Sequence, residues 1–427
     1  MAELRRGLVL AAMALAGLAS FASRAAAQAP TLDVVSFEEA VQRAIQANLT
    51  VQRAATAVLG AEALLAQARA AVRPSIDGAA TVTTLDGERG FSGNVVQPRT
   101  QLLLGGSAAM PLLASAQWAA RLQAADQVTV ASVAVHDVRR QVGVAAAEAY
   151  LAVIARKRQL EVNVRARDTA KAQLDYATAR REGGVGSRLN ELRAAQELAV
   201  DEELVERATL AVQLGQEALG VLLAADKAVD TAGPPALETP AADGEGWLVH
   251  RTDIKLFDAR IDAAGRVVAD SWRDWVPTVR AAFEPQYITP AGLFQPSGTW
   301  RAVVAANVPL FDAGRRRAAK SQREASLALF RVERQDAELR AKSDVRIART
   351  TIDAEAKALG RAREAAGHAG EVLRITDVAF RAGATTNIEL VDAQRRARDA
   401  ESAVAQAEDR ARSARLALLV ALGRFPG

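Results

Sequence analysis

Few residues in this sequence have the type and spacing needed for catalytic or metal chemistry. The 427-residue chain contains no cysteine and only three histidines, His136, His250 and His368, which lie far apart in sequence. The absence of cysteine excludes disulfides, thiolate metal sites, cysteine nucleophiles and a lipid attached to an N-terminal cysteine. The common nucleophile-elbow, zincin, phosphate-loop and dinucleotide-binding motifs are also missing. We therefore expect no enzymatic activity, no cofactor and no metal site.

Charge and composition narrow the choice of partners and fold. The chain has 54 basic and 50 acidic residues, a net charge of +4, and the two signs alternate along the sequence. Such alternation gives no basic stripe, so we expect no nucleic-acid partner. Half of the residues are hydrophobic but only 4% are aromatic, and alanine supplies much of the apolar share. This composition favours closely packed helices over an aromatic-rich β-sandwich.

The N-terminus has the pattern of a removable export signal. Arg5 and Arg6 precede an apolar run from Leu8 to Ala22, and Ala25-Ala26-Ala27 follows as a small-residue cleavage site. The apolar run of about 15 residues is shorter than the roughly 20 that span a bilayer, which disfavours the alternative of a membrane anchor. We therefore predict a cleaved signal peptide over residues 1–27.

The mature sequence shows signs of an internal duplication. The segment around Pro74 resembles that around Pro277, 203 residues later, and the segment around Pro111 resembles that around Pro309, 198 residues later. Glu191-Leu192 and the residues that follow resemble the run beginning at Glu389, again 198 later. The shared order predicts two structural repeats, residues 28–225 and 247–427. The proline- and glycine-rich stretch 226–246 between them is predicted to be a linker or a small irregular subdomain.

Each repeat is predicted to contain a helix, a β-hairpin and a long helical hairpin. The first helices are expected over Ser36 to Val72 and about Trp247 to Trp275, ending before a proline. Long helices are expected over Leu112 to Arg181 and Asp312 to Arg381, each about 105 Å long. Glycine-bearing turns then lead to returning helices that begin near Ser187 and Thr386. Small apolar residues recur every seven positions on these helices, which indicates coiled-coil packing.

The hairpins are predicted from residues that alternate with a period of two. In the first hairpin the apolar set is Ile76, Gly78, Ala80 and Val82, followed by Leu102, Leu104, Ala108 and Met110. In the second it is Val279, Ala281, Phe283 and Tyr287, followed by Trp300, Ala302, Val304, Ala306 and Val308. Strands of about ten residues suit a tilted membrane crossing with Phe283, Tyr287 and Trp300 in an aromatic girdle. The alternative is a pair of hairpins that cover a soluble core.

The predicted fold class is therefore mainly α with a small β membrane part, built from coiled-coil helical hairpins and four β-strands per chain. Four strands cannot close a barrel, and an open sheet edge is not tolerated in lipid, so the chain is expected to oligomerise. Two copies would give eight strands with a filled interior, whereas three would give twelve strands and the beginning of a water-filled lumen. The helices would continue that tube, which makes a conduit the expected function.

Several segments resemble the TolC family of outer-membrane efflux proteins, in order and over nearly the whole mature chain. They follow the leader and comprise Val35–Val41 with Ala47–Val51, the strand entries at Pro74 and Pro277, Val308–Arg315, Phe380–Gly383, and Glu389–Gln394. One departure is Leu49, where the family usually has proline. The resemblance implies a homotrimer with a twelve-stranded β-barrel in the outer membrane and an α-helical periplasmic tunnel. It also implies a passive exit duct of a tripartite efflux or type I secretion system.

The same resemblance implies partners and site residues. The partners would be outer-membrane lipid, a periplasmic adaptor (membrane fusion) protein, and an inner-membrane efflux pump or ABC transporter. Acidic residues close the family's tunnel at the helical tips, and the matching residues here are Glu389, Asp392 and Glu191, with Arg188 as a nearby ion-pair partner. Adaptor contact would fall on the hairpin tips at Gly183, Gly184, Gly186, Gly383 and Thr385.

Three other interpretations are kept open. The chain could instead be a periplasmic coiled-coil adaptor or structural scaffold without a channel, although the duplication disfavours this reading. The four charged residues at the tips could belong to an ordinary solvated helix face. The basic run Arg315-Arg316-Arg317 favours a solvated or junction-lining cluster over a binding motif.

Overall fold

The computed structural model describes residues 32–238 and 245–426. The predicted signal peptide, residues 1–27, lies outside the described residues. The chain folds into two compact units. The first unit contains the described residues up to Ala40 together with Ala146–Pro235 and Glu364–Gln406, and the second contains Val41–Ala145, Ala236–Arg363 and the described residues from Ala407 onward. Both units take residues from both predicted repeats, so the repeat boundaries stay a prediction from sequence.

Most of the described chain is helical. Seven α-helices are described: α1 (Phe37–Ala47), α2 (Leu49–Ala70), α3 (Ser115–Glu182), α4 (Arg188–Leu222), α5 (Thr252–Ala269), α6 (Arg315–Arg381) and α7 (Asn387–Ala421). Two short 3₁₀ helices flank α5, at Glu245–His250 and Asp270–Trp275. The strands are β1 (Asp33–Val35), β2 (Ser75–Thr84), β3 (Arg89–Phe91), β4 (Asn94–Gln97), β5 (Thr100–Leu113), β6 (Val229–Thr231), β7 (Thr278–Thr289) and β8 (Gly298–Asn307).

The predicted helix from Ser36 to Val72 is two helices, because the chain is capped anew at Asn48. Asn48 has extended backbone angles, and its side-chain oxygen accepts a hydrogen bond from the Thr50 N–H at 2.8 Å. An asparagine in this role satisfies one of the free N–H groups at a helix start. Ser36 caps the start of α1, since its hydroxyl accepts a hydrogen bond from the Glu39 N–H at 3.2 Å.

The four predicted strands form one antiparallel sheet in the second unit, in the order β2-β5-β7-β8. The turn predicted between β2 and β5 also contains a small hairpin of β3 and β4, which the sequence analysis missed. Ser92 and Gly93 join these strands with φ angles of 53° and 79°. Two successive left-handed residues are the mark of a tight type I′ hairpin turn, so this connection is ordered β-structure.

A second unpredicted element is the parallel pair of β1 and β6 in the first unit. β6 lies in the stretch 226–246, which was predicted to be a linker or irregular subdomain. Tyr150 on α3 ties the pair together, because its hydroxyl donates a hydrogen bond to the Gly233 carbonyl at 2.9 Å. The Phe37 ring packs edge-on against Tyr150, with centroids 5.4 Å apart. Burial raises the pKa of the Tyr150 hydroxyl, so it stays a neutral hydrogen-bond donor.

The two β-hairpins have the same strand register, which is what the predicted duplication would require. Ser75 lies opposite Ala109 in the first hairpin, and Thr278 lies opposite Asn307 in the second. Equivalent residues are therefore 203 positions apart in β2 and β7, and 198 apart in β5 and β8. These are the two offsets that the sequence comparison gave.

In the helical hairpins the equivalent residues are 199 positions apart, not 198. Gly184 and Gly383 are the left-handed residues of the two turns, with φ angles of 77° and 78°. Ala208 and Ala407 are both buried, as are Leu219 and Leu418. The predicted pairing of Glu191 with Glu389 is thus wrong by one residue, because a short sequence match cannot resolve a one-residue shift. The structural counterpart of Glu389 is Asn190.

Small side chains fill the predicted coiled-coil positions. On α7 the buried members of the predicted series are Ala397, Ala407, Ala414, Leu418 and Ala421, and Val404 and Ala411 are half-buried. On α3 Val135 and Val142 are buried. The helices therefore approach closely at alanine, and little space is left for larger groups.

Replacing Ala407 by Leu is expected to lower the free energy of unfolding by about 1–3 kcal/mol. Ala407 is 0% exposed, and adding three carbons to a filled position forces side chains or backbone to move. Chemical denaturation of the purified variant in detergent, followed by circular dichroism, would measure the change. Ala403→Leu at an exposed position of the same helix is the control. Equal stability of the two variants would contradict close packing at Ala407.

Candidate functional site

The turns that join the long helices are built by glycine for two different reasons. Gly184 and Gly383 adopt a left-handed conformation that other residues rarely tolerate. At Gly186 an added Cβ would lie 2.7 Å from the Arg181 backbone nitrogen, so only glycine fits. The N–H groups of residues 183–186 and 382–384 close these turns by hydrogen-bonding to carbonyls in the last turn of α3 or α6. The tips are therefore rigid, exposed turns.

Glu389 forms a reciprocal cap at the start of α7. Its carboxylate accepts a hydrogen bond from the Thr386 N–H at 3.0 Å, and the Thr386 hydroxyl accepts one from the Glu389 N–H at 3.4 Å. This arrangement satisfies two N–H groups that a helix start leaves free. Asp392 lies one turn further on and pairs with Arg396 at 3.0 Å. Both carboxylates are exposed on the outside of the described chain.

Glu191 has a different environment from Glu389. Its carboxylate is mostly covered and lies 2.7 Å from the Arg181 guanidinium and 3.8 Å from that of Arg188. The expected contact between Arg188 and Glu191 is thus present, with Arg181 as the nearer partner. The structure brings Glu191 together with two basic residues, whereas Glu389 and Asp392 remain exposed at the start of α7. Of the predicted acids, these two are the ones open to solvent.

A charge cluster with two buried acids in the first unit was missed by the sequence analysis. We use the name α4–α7 charge cluster for Glu197 and Asp201 on α4 with Arg395 and Arg398 on α7. Arg395 donates two hydrogen bonds from Nε to Glu197, at 2.8 and 3.0 Å. Arg398 donates to Asp201 at 2.6 Å, and the side chains of both acids are less than a tenth exposed. The only sequence signal for this cluster is the spacing of the charged residues. The two acids lie four residues apart on α4, and the two arginines lie three residues apart on α7.

In the α4–α7 charge cluster, the cost of burying each charge is opposed by attraction to charges of the opposite sign. Burial raises the pKa of Asp201, although the Arg398 guanidinium opposes the shift. The hydrogen bond to Glu197 raises the pKa of Arg395. For Arg398, burial lowers the pKa, but the hydrogen bonds and charges of Asp201 and Asp399 together outweigh burial, so the pKa is raised. Two positive and two negative charges thus compensate one another between α4 and α7.

The four-stranded sheet has one apolar face and one polar face, both exposed in the single chain. Directly opposite residues of a sheet share a face. The apolar face carries Ile76, Val82, Leu104, Met110, Phe283, Tyr287, Trp300 and Val304. The polar face carries Asp77, Thr81, Gln101, Ser107, Arg280, Glu284, Gln286, Thr299 and Arg301. On the polar face Arg301 donates a hydrogen bond from Nε to Glu284 at 2.9 Å.

The basic run after β8 contains one structural residue between two exposed ones. Arg316 is buried, lies 4.0 Å from the centre of the Trp275 ring, and donates a hydrogen bond to Asp312 at 2.6 Å. The bond from Arg316 holds the pKa of the Asp312 carboxyl below its usual range. Arg315 and Arg317 are exposed. Arg316 therefore fixes the junction between the sheet and α6.

Within residues 32–238 and 245–426, no group of three or more His, Cys, Asp or Glu side chains is arranged to hold a metal ion. His136, His250 and His368 are exposed. None of the described helices contains a stretch that is both long and apolar enough to cross a membrane.

Residues 247–424 match the family model described as outer membrane efflux protein. The comparison with curated proteins gives no match.

The described fold closely matches solved outer-membrane channels at low sequence identity. The outer membrane protein VceC of Vibrio cholerae has a TM-score of 0.73 and 20% identity, and the match covers 91% of this chain and 96% of that one. The CmeC outer membrane channel of Campylobacter jejuni gives 0.78 and 14%, covering 91% and 85%. The open-state MtrE outer membrane channel of Neisseria gonorrhoeae gives 0.75 and 17%, covering 91% and 88%. The predicted mainly α fold with long helical hairpins and a four-stranded sheet is confirmed.

Proposed function

We propose that this protein is a passive exit duct of a tripartite efflux or type I secretion system, because residues 247–424 match the family model described as outer membrane efflux protein. It carries substrates from a periplasmic pump assembly to the exterior, and its partners supply the energy. The observation that carries this proposal is the sheet, whose apolar face suits lipid and whose polar face suits a water-filled lumen. A soluble adaptor or scaffold would have no use for such an exposed apolar face.

The assembly proposed here is a homotrimer. The four strands of each chain contribute to a twelve-stranded barrel in the outer membrane, and the helices form a periplasmic tunnel. A closed barrel satisfies the backbone groups at the two edges of the sheet, β2 and β8, which is required in lipid. Residues 1–27 direct export and are removed.

The helical tips are the proposed meeting point with the other components. The rigid turns at Gly183, Gly184, Gly186, Gly383 and Thr385 contact a periplasmic adaptor protein, which links the duct to an inner-membrane efflux pump or ABC transporter. The exposure of Gly183, Gly184 and Gly383 supports this assignment.

The constriction is proposed to lie at the same tips. Glu389 and Asp392 supply its negative charge. Glu191 and Arg188 form an ion pair that stabilises the other helical tip, at the start of α4. Because Glu191 is covered by Arg181 and Arg188, the electrostatic effect on passing ions comes from Glu389 and Asp392.

Single-channel recording in a planar bilayer tests the proposal. The purified mature protein should insert from detergent and give small, cation-selective conductance steps. A folded protein that stays water-soluble without detergent and never inserts would contradict the membrane duct and favour a periplasmic scaffold.

A further inference from the structure

The segments that join the sheet to the long helices carry exposed tryptophan and arginine side chains. The start of β2 pairs near the end of β5, the end of β5 pairs with the start of β7, and the start of β7 pairs with the end of β8. All four strands therefore meet helical segments at one end of the sheet, within the second unit. We use the name junction collar for six exposed side chains in these segments: Arg73, Trp118, Trp272, Trp275, Arg315 and Arg317.

Three of the five tryptophans in the chain belong to the junction collar. Trp118 is 39% exposed, Trp272 is 59% exposed and Trp275 is 48% exposed. A tryptophan ring combines an apolar body with a polar N–H group, which suits the boundary between lipid tails and water. In the proposed duct, the collar therefore lies at the level of the lipid headgroups.

The short 3₁₀ helix Asp270–Trp275, which carries two of these rings, is held by both neighbouring helices. The Ser115 hydroxyl at the start of α3 donates a hydrogen bond to the Arg273 carbonyl at 3.2 Å. Arg323 of α6 donates a hydrogen bond to the Asp274 carboxylate at 2.8 Å. The two tryptophans are therefore fixed in position at this end of the sheet, although their rings are exposed.

The charges around the junction leave an excess of arginine. Three acids in these segments each pair with an arginine at 2.6 to 3.0 Å: Asp270 with Arg273, Asp274 with Arg323, and Asp312 with Arg316. Within residues 32–238 and 245–426, Arg73, Arg315 and Arg317 have no ion-pair partner. The junction collar therefore carries three positive charges that the described chain does not pair.

The connections at the other end of the sheet have no such excess. Residues 85–99 contain two acids, Asp86 and Glu88, and two arginines, Arg89 and Arg99. Residues 290–297 contain no charged residue. Attraction for anionic groups is therefore expected at the helix side of the sheet.

We propose that the junction collar binds the phosphate headgroups of anionic phospholipids in the membrane leaflet on the helix side of the sheet. This inference rests on the proposed membrane duct and deepens it by naming a lipid class. The planar guanidinium of arginine presents several N–H donors that match a phosphate, and basic clusters beside a membrane segment attract anionic lipid. The tryptophan rings contact the lipid just below the phosphate, where tails and headgroups meet.

Quenching of tryptophan fluorescence by brominated phospholipids tests this proposal. The protein carries Trp300→Phe, because Trp300 is 70% exposed at the other end of the sheet, whereas Trp247 is buried. The exposed tryptophans that remain are the three of the junction collar. The protein is reconstituted into phosphatidylcholine vesicles that contain either brominated phosphatidylcholine or brominated phosphatidylglycerol. The ratio of the two quenching efficiencies measures the preference for the anionic lipid.

Phosphatidylglycerol should quench several-fold more effectively than phosphatidylcholine at low salt. High salt should reduce this preference, because salt screens the attraction between exposed charges. This part of the test needs no change in the collar. Combining Arg73→Gln, Arg315→Gln and Arg317→Gln should bring the two quenching efficiencies close to equality.

The matched control removes three exposed arginines from α6 outside the collar: Arg331→Gln, Arg346→Gln and Arg349→Gln. Arg331, the nearest of them, lies about 24 Å along the helix from Arg315. This variant should keep the preference of the parent protein. An equal loss of preference in the two triple variants would overturn the assignment to the collar.

The remaining outcomes separate the junction collar from the duct. If neither lipid quenches, the membrane duct is wrong as well. If both lipids quench equally in the parent protein, or if the preference is insensitive to salt, the duct stands and the lipid site is wrong. If inorganic phosphate abolishes the preference and chloride of the same ionic strength does not, the collar binds free phosphate, which also overturns the assignment to lipid.

Discussion

Replacing Arg398 by Ala is expected to lower the free energy of unfolding by about 3–5 kcal/mol, measured by chemical denaturation in detergent. The substitution leaves Asp201 in the α4–α7 charge cluster without its hydrogen-bonded partner, and an uncompensated buried charge is costly. Hydrogen exchange should increase in α4 and α7 in particular, since these helices carry the cluster.

The neighbouring Arg396 is the matched control. Its side chain is 74% exposed and pairs with the exposed Asp392. Such surface pairs contribute about 0–1 kcal/mol, so Arg396→Ala should have little effect. Similar losses for the two variants would contradict the special role of the buried cluster.

The pH dependence of the Arg398→Ala variant provides an independent check. Burial already raises the pKa of Asp201, and losing the guanidinium removes the main opposing influence. The folded variant then binds a proton at Asp201 more readily than the unfolded chain does. Its stability relative to the parent protein should improve as the pH falls and worsen as the pH rises, because protonation removes the unpaired charge.

Combining Glu389→Gln with Asp392→Asn is expected to reduce the cation preference of the channel several-fold. The two residues lie one helical turn apart. The proposed homotrimer would carry two such carboxylates per chain, six in all, at the tips. Neutralising them removes the local field that concentrates cations and repels anions. Reversal potentials under a salt gradient would measure the change.

The choice of glutamine in Glu389→Gln preserves the helix cap. The side-chain amide oxygen of the introduced glutamine can still accept a hydrogen bond from the Thr386 N–H, as glutamine does in other capping boxes. Glu202→Gln with Glu206→Gln removes the same number of charges from exposed positions on α4 and is the control. If both double variants shift the reversal potential equally, Glu389 and Asp392 do not form the constriction.

The features that could be predicted from sequence are those with a local physical cause. Apolar and polar residues alternate with a period of two in the strands of both hairpins, so the strands were predictable. The first strand of each hairpin begins directly after Pro74 or Pro277, so its start was predictable as well. The helical tips were predictable because Gly184 and Gly383 supply the left-handed angles that end a helix.

The features that escaped prediction depend on distant partners. β1 and β6 are three residues each and lie nearly two hundred residues apart, so neither produces a usable pattern. The charges of Glu197 and Arg398 look like those of any solvated helix until the fold brings the two side chains together away from solvent. The spacing between equivalent residues of the two helical hairpins is 199 and not the predicted 198. This difference became visible only through the left-handed backbone angles of Gly184 and Gly383 at the two tips.

The small changes in spacing between the repeats show where this molecule has tolerated insertions and deletions. The step from 203 to 198 falls in the connection between the strands of each hairpin, where the first repeat holds the extra turn of β3 and β4. The step from 198 to 199 falls beside Ala313 and Gly314, two left-handed residues just before α6. Within the paired strands the spacing stays at 203 or 198, and from the helical tips along the returning helices it stays at 199. Changes of length between the two predicted repeats therefore fall in loops, where backbone can be added or removed without disturbing strand pairing or helix packing.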